Sequence, residues 1–172
     1  KHLNGDAFTD ELKSQAINII RSEMGKIDLV VYSLAAPRRK DPVTGEVYSS
    51  VLKPIGQAYT AKNLNTSKRE IESVSVEPAN DDEIFNTVKV MGGEDWERWL
   101  DQLHAAGVLA ENCQTVAYTY IGKELTWPIY GKATIGRAKE DLDRAAAAIT
   151  TKLNAQNGHA YVASLKALVT QA

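Results

Sequence analysis

The chain has 172 residues, of which 44% are hydrophobic and 24% charged, and its formal net charge is -2 at pH 7. This composition is ordinary for one globular domain with a substantial core, and the charge gives no electrostatic footprint for nucleic acid or an anionic membrane surface. No apolar run approaches the roughly 20 residues that span a bilayer, and no stretch reads as a secretory signal peptide. The single cysteine, Cys113, excludes an internal disulfide framework and is typical of a reducing cytosol, so we expect a cytoplasmic protein.

The first predicted element is an amphipathic helix from Asp6 to Met24. Thr9 can cap it, acidic residues follow at its positive end, and Gly25 is a natural stop. Asp6, taken by itself, reads as a turn or helix-start carboxylate. The predicted buried stripe consists of Phe8, Leu12, Ala16, Ile19, Ile20 and Met24.

The stretch Ile27–Ser33 is a short, nearly continuous apolar run, which is typical of a strand buried on both faces of a parallel sheet. Small residues follow in Leu34-Ala-Ala-Pro37. Small side chains let a ligand approach the backbone, and doubly wound sheets bind cofactors in the crevice outside the strand ends. A tight exit from strand to loop is an equally good interpretation of these residues alone.

Residues 38–110 depart from a plain alternation of strands and helices, because a connection in an α/β unit usually takes ~2–6 residues. We expect an insertion here, with a hairpin formed by residues near 55–61 and 71–76 around Asn63-Leu-Asn-Thr. One helix should start with Pro78-Ala-Asn-Asp81, and a second should cover residues 94–106. Its two tryptophans, at positions 96 and 99, are interpreted as core packing.

The next predicted strand is Gln114–Tyr120, which places Tyr120 at the end where a parallel sheet presents its chemistry. A long helix should then run to about Asn157, and His159–Ser164 should form a third strand. Cys113 just before the second strand is interpreted as a passive, half-buried thiol. No histidine has ligand partners at metal-binding spacing, so we predict no metal site.

Tyr130 and Lys139 are the most informative pair of polar side chains. Lys139 follows Tyr130 by nine positions, and nine residues of one continuous helix turn by roughly 900°, which places the two side chains on opposite faces. They can meet only if Tyr130 precedes the helix and Lys139 lies in its first turns. Pro128 and Gly131 break regular structure, and Thr134 is predicted to cap the helix that follows.

The helix after Thr134 has an apolar face formed by Ile135, Ala138, Leu142, Ala145, Ile149 and Leu153. A phenol with an ammonium beside it is a suitable acid for reductase chemistry. Lys139 would favour the phenolate of Tyr130, lowering a pKa that is normally about 10, and could also hold a cofactor hydroxyl. The bare Tyr-x8-Lys pattern is weak, because chance supplies it often.

Longer strings around this pair carry a family resemblance. They are Gly5-Asp-Ala-Phe8, Leu34-Ala-Ala-Pro-Arg-Arg39, Val90-Met-Gly-Gly-Glu-Asp-Trp96, Tyr118-Thr-Tyr-Ile-Gly122, Glu124-Leu-Thr-Trp-Pro-Ile-Tyr130 and Gly136-Arg-Ala-Lys-Glu-Asp-Leu-Asp143. The chain closely resembles the bacterial trans-2-enoyl-CoA and enoyl-acyl carrier protein reductases of the FabV type along essentially all of its length. These are NADH-dependent relatives of the short-chain dehydrogenases with a longer spacing from Tyr to Lys.

The resemblance implies the later half of a Rossmann-like, doubly wound parallel sheet. It implies reduction of the 2,3-double bond of enoyl-CoA or enoyl-acyl carrier protein thioesters by NADH in fatty acid synthesis. Tyr130 and Lys139 would be catalytic, and Tyr120 would contact the thioester carbonyl of the substrate. The implied cofactor contacts are Asp6 and Ala7 beside the adenine, Leu34 and Ala35 at the nicotinamide-side ribose, Lys139 at the ribose hydroxyls, and Leu168, Val169 and Thr170 at the outlet of the third strand.

Members of this family are more than twice as long, and their Gly-rich pyrophosphate loop lies upstream of the matching region. We therefore expect the chain to be a central fragment that is inactive by itself. The alternative is a noncatalytic fragment or association module, because the pyrophosphate loop is missing. A truncated sheet would also expose strand edges and apolar faces that favour self-association. A carbonyl or sterol reductase of the ordinary short-chain type is disfavoured, because it needs Tyr-xxx-Lys on one helix face.

One basic run, Arg38-Arg-Lys40, allows two interpretations. A solvated loop is the simpler one. Attraction of the CoA phosphates or of an acidic carrier protein is the alternative.

Overall fold

The structure, a computed structural model, describes residues 1–120 and 122–165. The helices are α1 (Asp10–Glu23), α2 (Asp81–Met91), α3 (Glu94–Ala105), α4 (Trp127–Tyr130) and α5 (Thr134–Leu153). The strands are β1 (Ile27–Tyr32), β2 (Arg38–Lys40), β3 (Val47–Ser49), β4 (Tyr59–Asn65), β5 (Glu70–Val76), β6 (Leu109–Tyr120) and β7 (His159–Leu165). No helix of these two ranges is both long and apolar enough to cross a membrane.

Three parallel strands form the central sheet in the order β1-β6-β7. Thr115 on β6 pairs with Val30 on one side and with Ala160 on the other. Tyr32 pairs with Ala117, so β1 and β6 run toward the same edge of the sheet, where their following loops begin. The predicted α/β class and its parallel sheet are confirmed.

One face of this sheet is packed under α3 and α5. Ala117 and Cys113 on β6 are fully buried there, together with Trp96, Leu100 and Ile149 of the helices. The opposite face remains open, because Leu29 is 57% exposed and Tyr161 is 54% exposed. The prediction that β1 is buried on both faces is therefore wrong for the described residues. The core tryptophan is confirmed at position 96, and burial, with the charge of Asp28, raises the pKa of the Cys113 thiol.

Helix α1 follows its capping signals. The hydroxyl of Thr9 accepts a hydrogen bond from the Leu12 amide at 3.3 Å, and Gly25 takes the left-handed conformation (φ 73°) that ends a helix. The helix begins at Asp10, so Asp6 lies in the loop before it. The buried residues of α1 are Lys13 and Ile17, and neither belongs to the predicted stripe. Of that stripe, Phe8 is buried just before the helix and Ile20 packs against the core, whereas Met24 is exposed.

Two antiparallel hairpins lie between β1 and β6. β4 pairs with β5, which confirms the predicted hairpin, although its turn falls at residues 66–69. The β2–β3 hairpin is not predicted by the sequence, and it buries Arg39 to 2% exposure. The Arg39 guanidinium donates to the carbonyl of Lys89 at 2.7 Å and to Glu94 at 2.8 Å. Both interpretations of the basic run are therefore wrong for Arg39, which is neither solvated nor available to a phosphate.

Gly93 marks the closest approach between the α2–α3 junction and α5. A Cβ atom at this position would lie 2.1 Å from the Cβ of Ala145 and 3.0 Å from the carbonyl oxygen of Asp141. The Gly93 amide also donates to the carboxylate of Asp141 at 2.8 Å. The absence of a side chain at position 93 thus allows α3 to start directly against α5.

We expect Gly93→Ala to lower the free energy of unfolding by about 1–3 kcal/mol, because the new methyl group overpacks this contact. Ala145→Gly in the same chain removes the methyl group that it meets and should recover part of the loss. Guanidinium denaturation of the two single variants and the double variant gives the coupling. Strictly additive losses would contradict the contact.

Candidate active site

The candidate site is built around two tyrosines. Tyr120 is the last residue of β6, and Tyr130 is the last residue of α4. Their ring centroids lie 5.7 Å apart with the planes inclined by 58°. Two residues ten positions apart are thus brought into ring contact at the carboxyl end of the central strand.

Lys139 joins this pair from α5. Its half-buried ammonium donates a hydrogen bond to the carbonyl oxygen of Tyr120 and lies 4.3 Å from the centroid of the Tyr120 ring. Lys139 and Tyr130 line the same cleft, which has a volume of about 270 Å³. The described ammonium contacts are therefore with Tyr120, whereas the sequence predicts the ammonium beside the phenol of Tyr130.

The chain reaches this arrangement because Tyr130 precedes the helix that carries Lys139, as the spacing predicts. The amides of Gly131 and Lys132 both donate to the carbonyl of Trp127 at 2.8 Å, which closes the short helix α4. Gly136, on the first turn of α5, then packs on the carbonyl of Gly131, where a Cβ atom would approach the oxygen to 1.6 Å. Only glycine permits this approach between the Tyr130 segment and α5.

Thr134 does not cap α5 as predicted. The N-cap residue is Ala133, and Thr134 is the first helical residue and fully buried. Its hydroxyl donates to the carbonyl of Val51 at 2.5 Å and accepts from the amide of Lys53 at 3.3 Å. These hydrogen bonds attach the start of α5 to the segment before β4, a partner about eighty residues away that no local pattern indicates.

Burial sets the protonation of this cluster. It raises the pKa of Tyr120, and the neighbouring Tyr130 raises that pKa further. Burial lowers the pKa of Lys139, because an ammonium loses hydration there. The site therefore combines a phenol that holds its proton with an ammonium that releases its proton more readily than usual.

A second cleft, of about 360 Å³, lies beside β1. It is lined by Ala7, Tyr32, Leu34 and Trp99 together with apolar residues of α1 and β1. The structure thus brings together Ala7 and Leu34, two of the residues to which the resemblance assigns cofactor contacts. The indole of Trp99 donates to the carbonyl of Ala7 at 3.2 Å.

Two other residues to which the resemblance assigns cofactor contacts are Asp6 and Ala35. Both are exposed, in the loops next to Ala7 and Leu34. The amide of Phe8 donates to Oδ1 of Asp6 at 2.9 Å, which is the turn geometry expected from the residue alone. Leu168, Val169 and Thr170 lie outside the described residues.

Comparisons with known proteins identify relatives along the whole chain. A family model described as "Trans-2-enoyl-CoA reductase catalytic region" matches residues 1–172. The enoyl-[acyl-carrier-protein] reductases [NADH] of Pseudoalteromonas translucida and Saccharophagus degradans are 67% identical over 172 residues and 70% identical over 171 residues, respectively. These matches cover 100% and 99% of this chain but 43% of each relative.

A solved structure agrees with these matches. The trans-2-enoyl-CoA reductase of Clostridium acetobutulicum in complex with NADH superposes with a TM-score of 0.94 at 45% identity. The match covers 99% of this chain and 43% of that one. The chain therefore spans less than half the length of the proteins that it resembles.

The contact between the two tyrosines can be tested by titration. We expect Tyr120 to ionise above the usual pKa of about 10 and its pKa to move back toward that value in Tyr130→Phe, because the influence of the Tyr130 hydroxyl is lost while burial remains. NMR of ring-labelled tyrosine measures this, with Tyr120→Phe to assign the signal. A Tyr120 pKa that Tyr130→Phe leaves unchanged would contradict an interaction between the Tyr130 hydroxyl and Tyr120.

Proposed function

Because the chain belongs to the trans-2-enoyl-CoA reductase family, we propose that a protein of the relatives' full length containing it reduces trans-2-enoyl thioesters with NADH. The substrate is the 2,3-double bond of an enoyl-CoA or an enoyl-acyl carrier protein, in fatty acid synthesis. The observation that carries this proposal is the Tyr120–Tyr130–Lys139 cluster at the end of the central strand.

The described residues offer a fitting set of groups for NADH. The cleft beside β1 has apolar walls and small residues at the strand end, which suit flat rings that approach the backbone. Asp6 and Ala7 are proposed to hold the adenine, and Leu34 and Ala35 the nicotinamide-side ribose. Lys139 supplies a half-buried ammonium donor for ribose hydroxyls. Leu168, Val169 and Thr170 are proposed as further contacts.

When bound, NADH supplies the hydride that is added to the β-carbon of the substrate. Negative charge then develops on the thioester oxygen. Tyr130 is proposed to give that oxygen a proton or a hydrogen bond from its hydroxyl, and its position in the 270 Å³ cleft supports this role. Donors aimed at a developing charge matter because they bind it more strongly as the charge grows.

Tyr120 is proposed as the second donor to the same oxygen. Its ring lies against Tyr130, and burial raises its pKa, so its hydroxyl stays protonated and able to donate at neutral pH. The Lys139 ammonium lies over the Tyr120 ring and holds the Tyr120 carbonyl, which fixes the end of β6 relative to α5. Lys139 therefore supplies both a positive charge and a positioning contact.

The proposed acid is tested by Tyr130→Phe in the full-length protein. Turnover of crotonyl-CoA, followed as NADH consumption, should fall by about 100-fold or more because the donated proton is lost, while NADH affinity stays nearly unchanged. Lys139→Ala should weaken both turnover and NADH affinity. Tyr161→Phe, which removes a hydroxyl from an exposed ring on β7, is the matched control and should keep turnover.

Full turnover in Tyr130→Phe would show that the assigned acid is wrong. No turnover by the folded, unsubstituted full-length protein would reject the enoyl reductase assignment. The association module would then become the better interpretation.

That second candidate is favoured by one observation, the open face of the sheet. Leu29, Val31, Tyr118 and Tyr161 are exposed on it. A contiguous apolar surface of this kind favours association. We expect the isolated 172-residue chain to sediment as dimers or larger species and the full-length protein to lack this concentration-dependent association. A well-behaved monomer of the isolated chain would count against the association module.

A further inference from the structure

A buried ion pair lies under the loop that carries Asp6 and Ala7. Lys13 on α1 is 0% exposed, and its ammonium lies 2.8 Å from the carboxylate of Asp95 on α3, which is 1% exposed. A buried ion pair is weak evidence for stability, because well-packed apolar residues often stabilise a fold equally well or better. Neither residue takes part in the proposed chemistry, so the pair needs another explanation.

The hydrogen bonds of Lys13 supply that explanation. An ammonium has three donors. The ammonium of Lys13 donates to the carbonyl of Ala7 at 3.0 Å, to the carbonyl of Phe8 at 2.9 Å and to Asp95 at 2.8 Å. Two of its three donors thus hold consecutive carbonyls of the loop. The indole of Trp99 also donates to the Ala7 carbonyl, at 3.2 Å.

The same carboxylate also contacts the end of β1. The hydroxyl of Tyr32 donates to the second oxygen of Asp95 at 3.3 Å. Tyr32 is the last residue of β1 and lines the cleft that Ala7 and Leu34 share. Asp95 therefore connects Lys13, whose ammonium holds the loop before α1, with Tyr32 at the strand end where the loop after β1 begins. The proposed function places cofactor contacts in both loops.

We propose that Lys13 and Asp95, assisted by Trp99, are positioning residues that hold the Asp6–Ala7 loop in the conformation that recognises the adenine of the cofactor. The inference rests on the proposed function, which places Asp6 and Ala7 beside the adenine. The Asp6 carboxylate accepts a hydrogen bond from the Phe8 amide, so its direction depends on the backbone that Lys13 holds.

The direction of the Asp6 carboxylate determines which base the loop prefers. A carboxylate accepts a hydrogen bond from the exocyclic amine of adenine. Hypoxanthine has a carbonyl oxygen at the same position, which is an acceptor and is disfavoured beside a carboxylate. A correctly held Asp6 therefore prefers NADH over reduced nicotinamide hypoxanthine dinucleotide, and a loosened loop loses that preference.

The test uses Lys13→Met/Asp95→Asn in the full-length protein. The double substitution removes both charges together, so no buried charge is left unpaired, and asparagine keeps an acceptor for the hydroxyl of Tyr32. Calorimetry gives the Kd values of NADH and of the hypoxanthine analogue. We expect about tenfold or greater preference for NADH in the unsubstituted protein, a ratio typical of one well-placed hydrogen bond to a charged group, and a ratio near one in the double variant.

Two further variants distinguish an effect on the loop from a general loss of stability. Trp99→Phe removes one donor to the Ala7 carbonyl but keeps an aromatic ring in place, and it should lower the preference in the same direction by a smaller factor. Ile149→Ala is the matched control, because it creates a cavity in the core at a fully buried position of α5 without touching the loop. It should lower the unfolding temperature and leave the preference unchanged.

The possible results distinguish a failure of the positioning role from a failure of the proposed function. Unchanged ratios in the folded double variant or in Trp99→Phe, or a loss of preference in Ile149→Ala, would overturn the positioning role. Turnover by an unsubstituted protein that shows no preference for NADH would overturn the adenine placement and the inference with it. An unsubstituted protein that neither binds NADH nor turns over crotonyl-CoA would instead reject the proposed function.

Discussion

The geometry of the candidate site depends on the attachment of Thr134 to the segment before β4. Thr134 begins α5, and its hydroxyl and amide bond to the backbone of Val51 and Lys53. Only three residues lie between Tyr130 and Thr134, so the start of the helix and the position of the phenol cannot shift independently. Lys139 follows within two turns and contacts the end of β6. A hydroxyl with no part in the proposed chemistry therefore sets the separation between the groups that have one.

The parallel sheet supplies the second constraint. β1 and β6 are parallel, so the loop that begins after Tyr32 and the residue Tyr120 both lie at the carboxyl end of the sheet. This placement explains why the residues of interest occur at strand ends and in loops, whereas the strand interiors carry core residues such as Ala117. Helices α3 and α5 pack on one face of this sheet. Gly93 and Gly136 allow the close approaches that keep α5 in contact with both α3 and the Tyr130 segment.

Local sequence rules predict much of this arrangement. The cap at Thr9, the stop at Gly25 and the position of Tyr130 ahead of the helix follow from turn and cap chemistry over a few residues, and all three are observed. Lys13 and Arg39 were not predicted to be buried, because burial of a charge depends on partners that the fold brings from far along the chain. Asp95 lies 82 positions from Lys13, and Glu94 lies 55 positions from Arg39. Helical periodicity treats Lys13 as solvent-facing, and the basic run places Arg39 in a solvated loop. No property of the neighbouring residues corrects either expectation. The family resemblance, which rests on longer strings, predicts a role for Tyr130 and Lys139 where the bare spacing does not, and both residues line one cleft.

Three cations of the described residues, the buried Lys13 and Arg39 and the half-buried Lys139, differ in the groups that face their charge. Lys13 is paired with Asp95 and Arg39 with Glu94, so each charge is largely neutralised inside the fold. Lys139, within residues 1–120 and 122–165, forms no salt bridge, and its contacts are a backbone carbonyl and an aromatic ring. An ammonium in that environment has lost part of its hydration without gaining a counter-charge, which is why burial lowers its pKa. A ligand that develops negative charge nearby would compensate for that loss, and the interaction would be stronger in this partly buried cleft than in water. The lack of a carboxylate partner among the described residues therefore distinguishes Lys139 from the two cations whose charges are paired inside the fold.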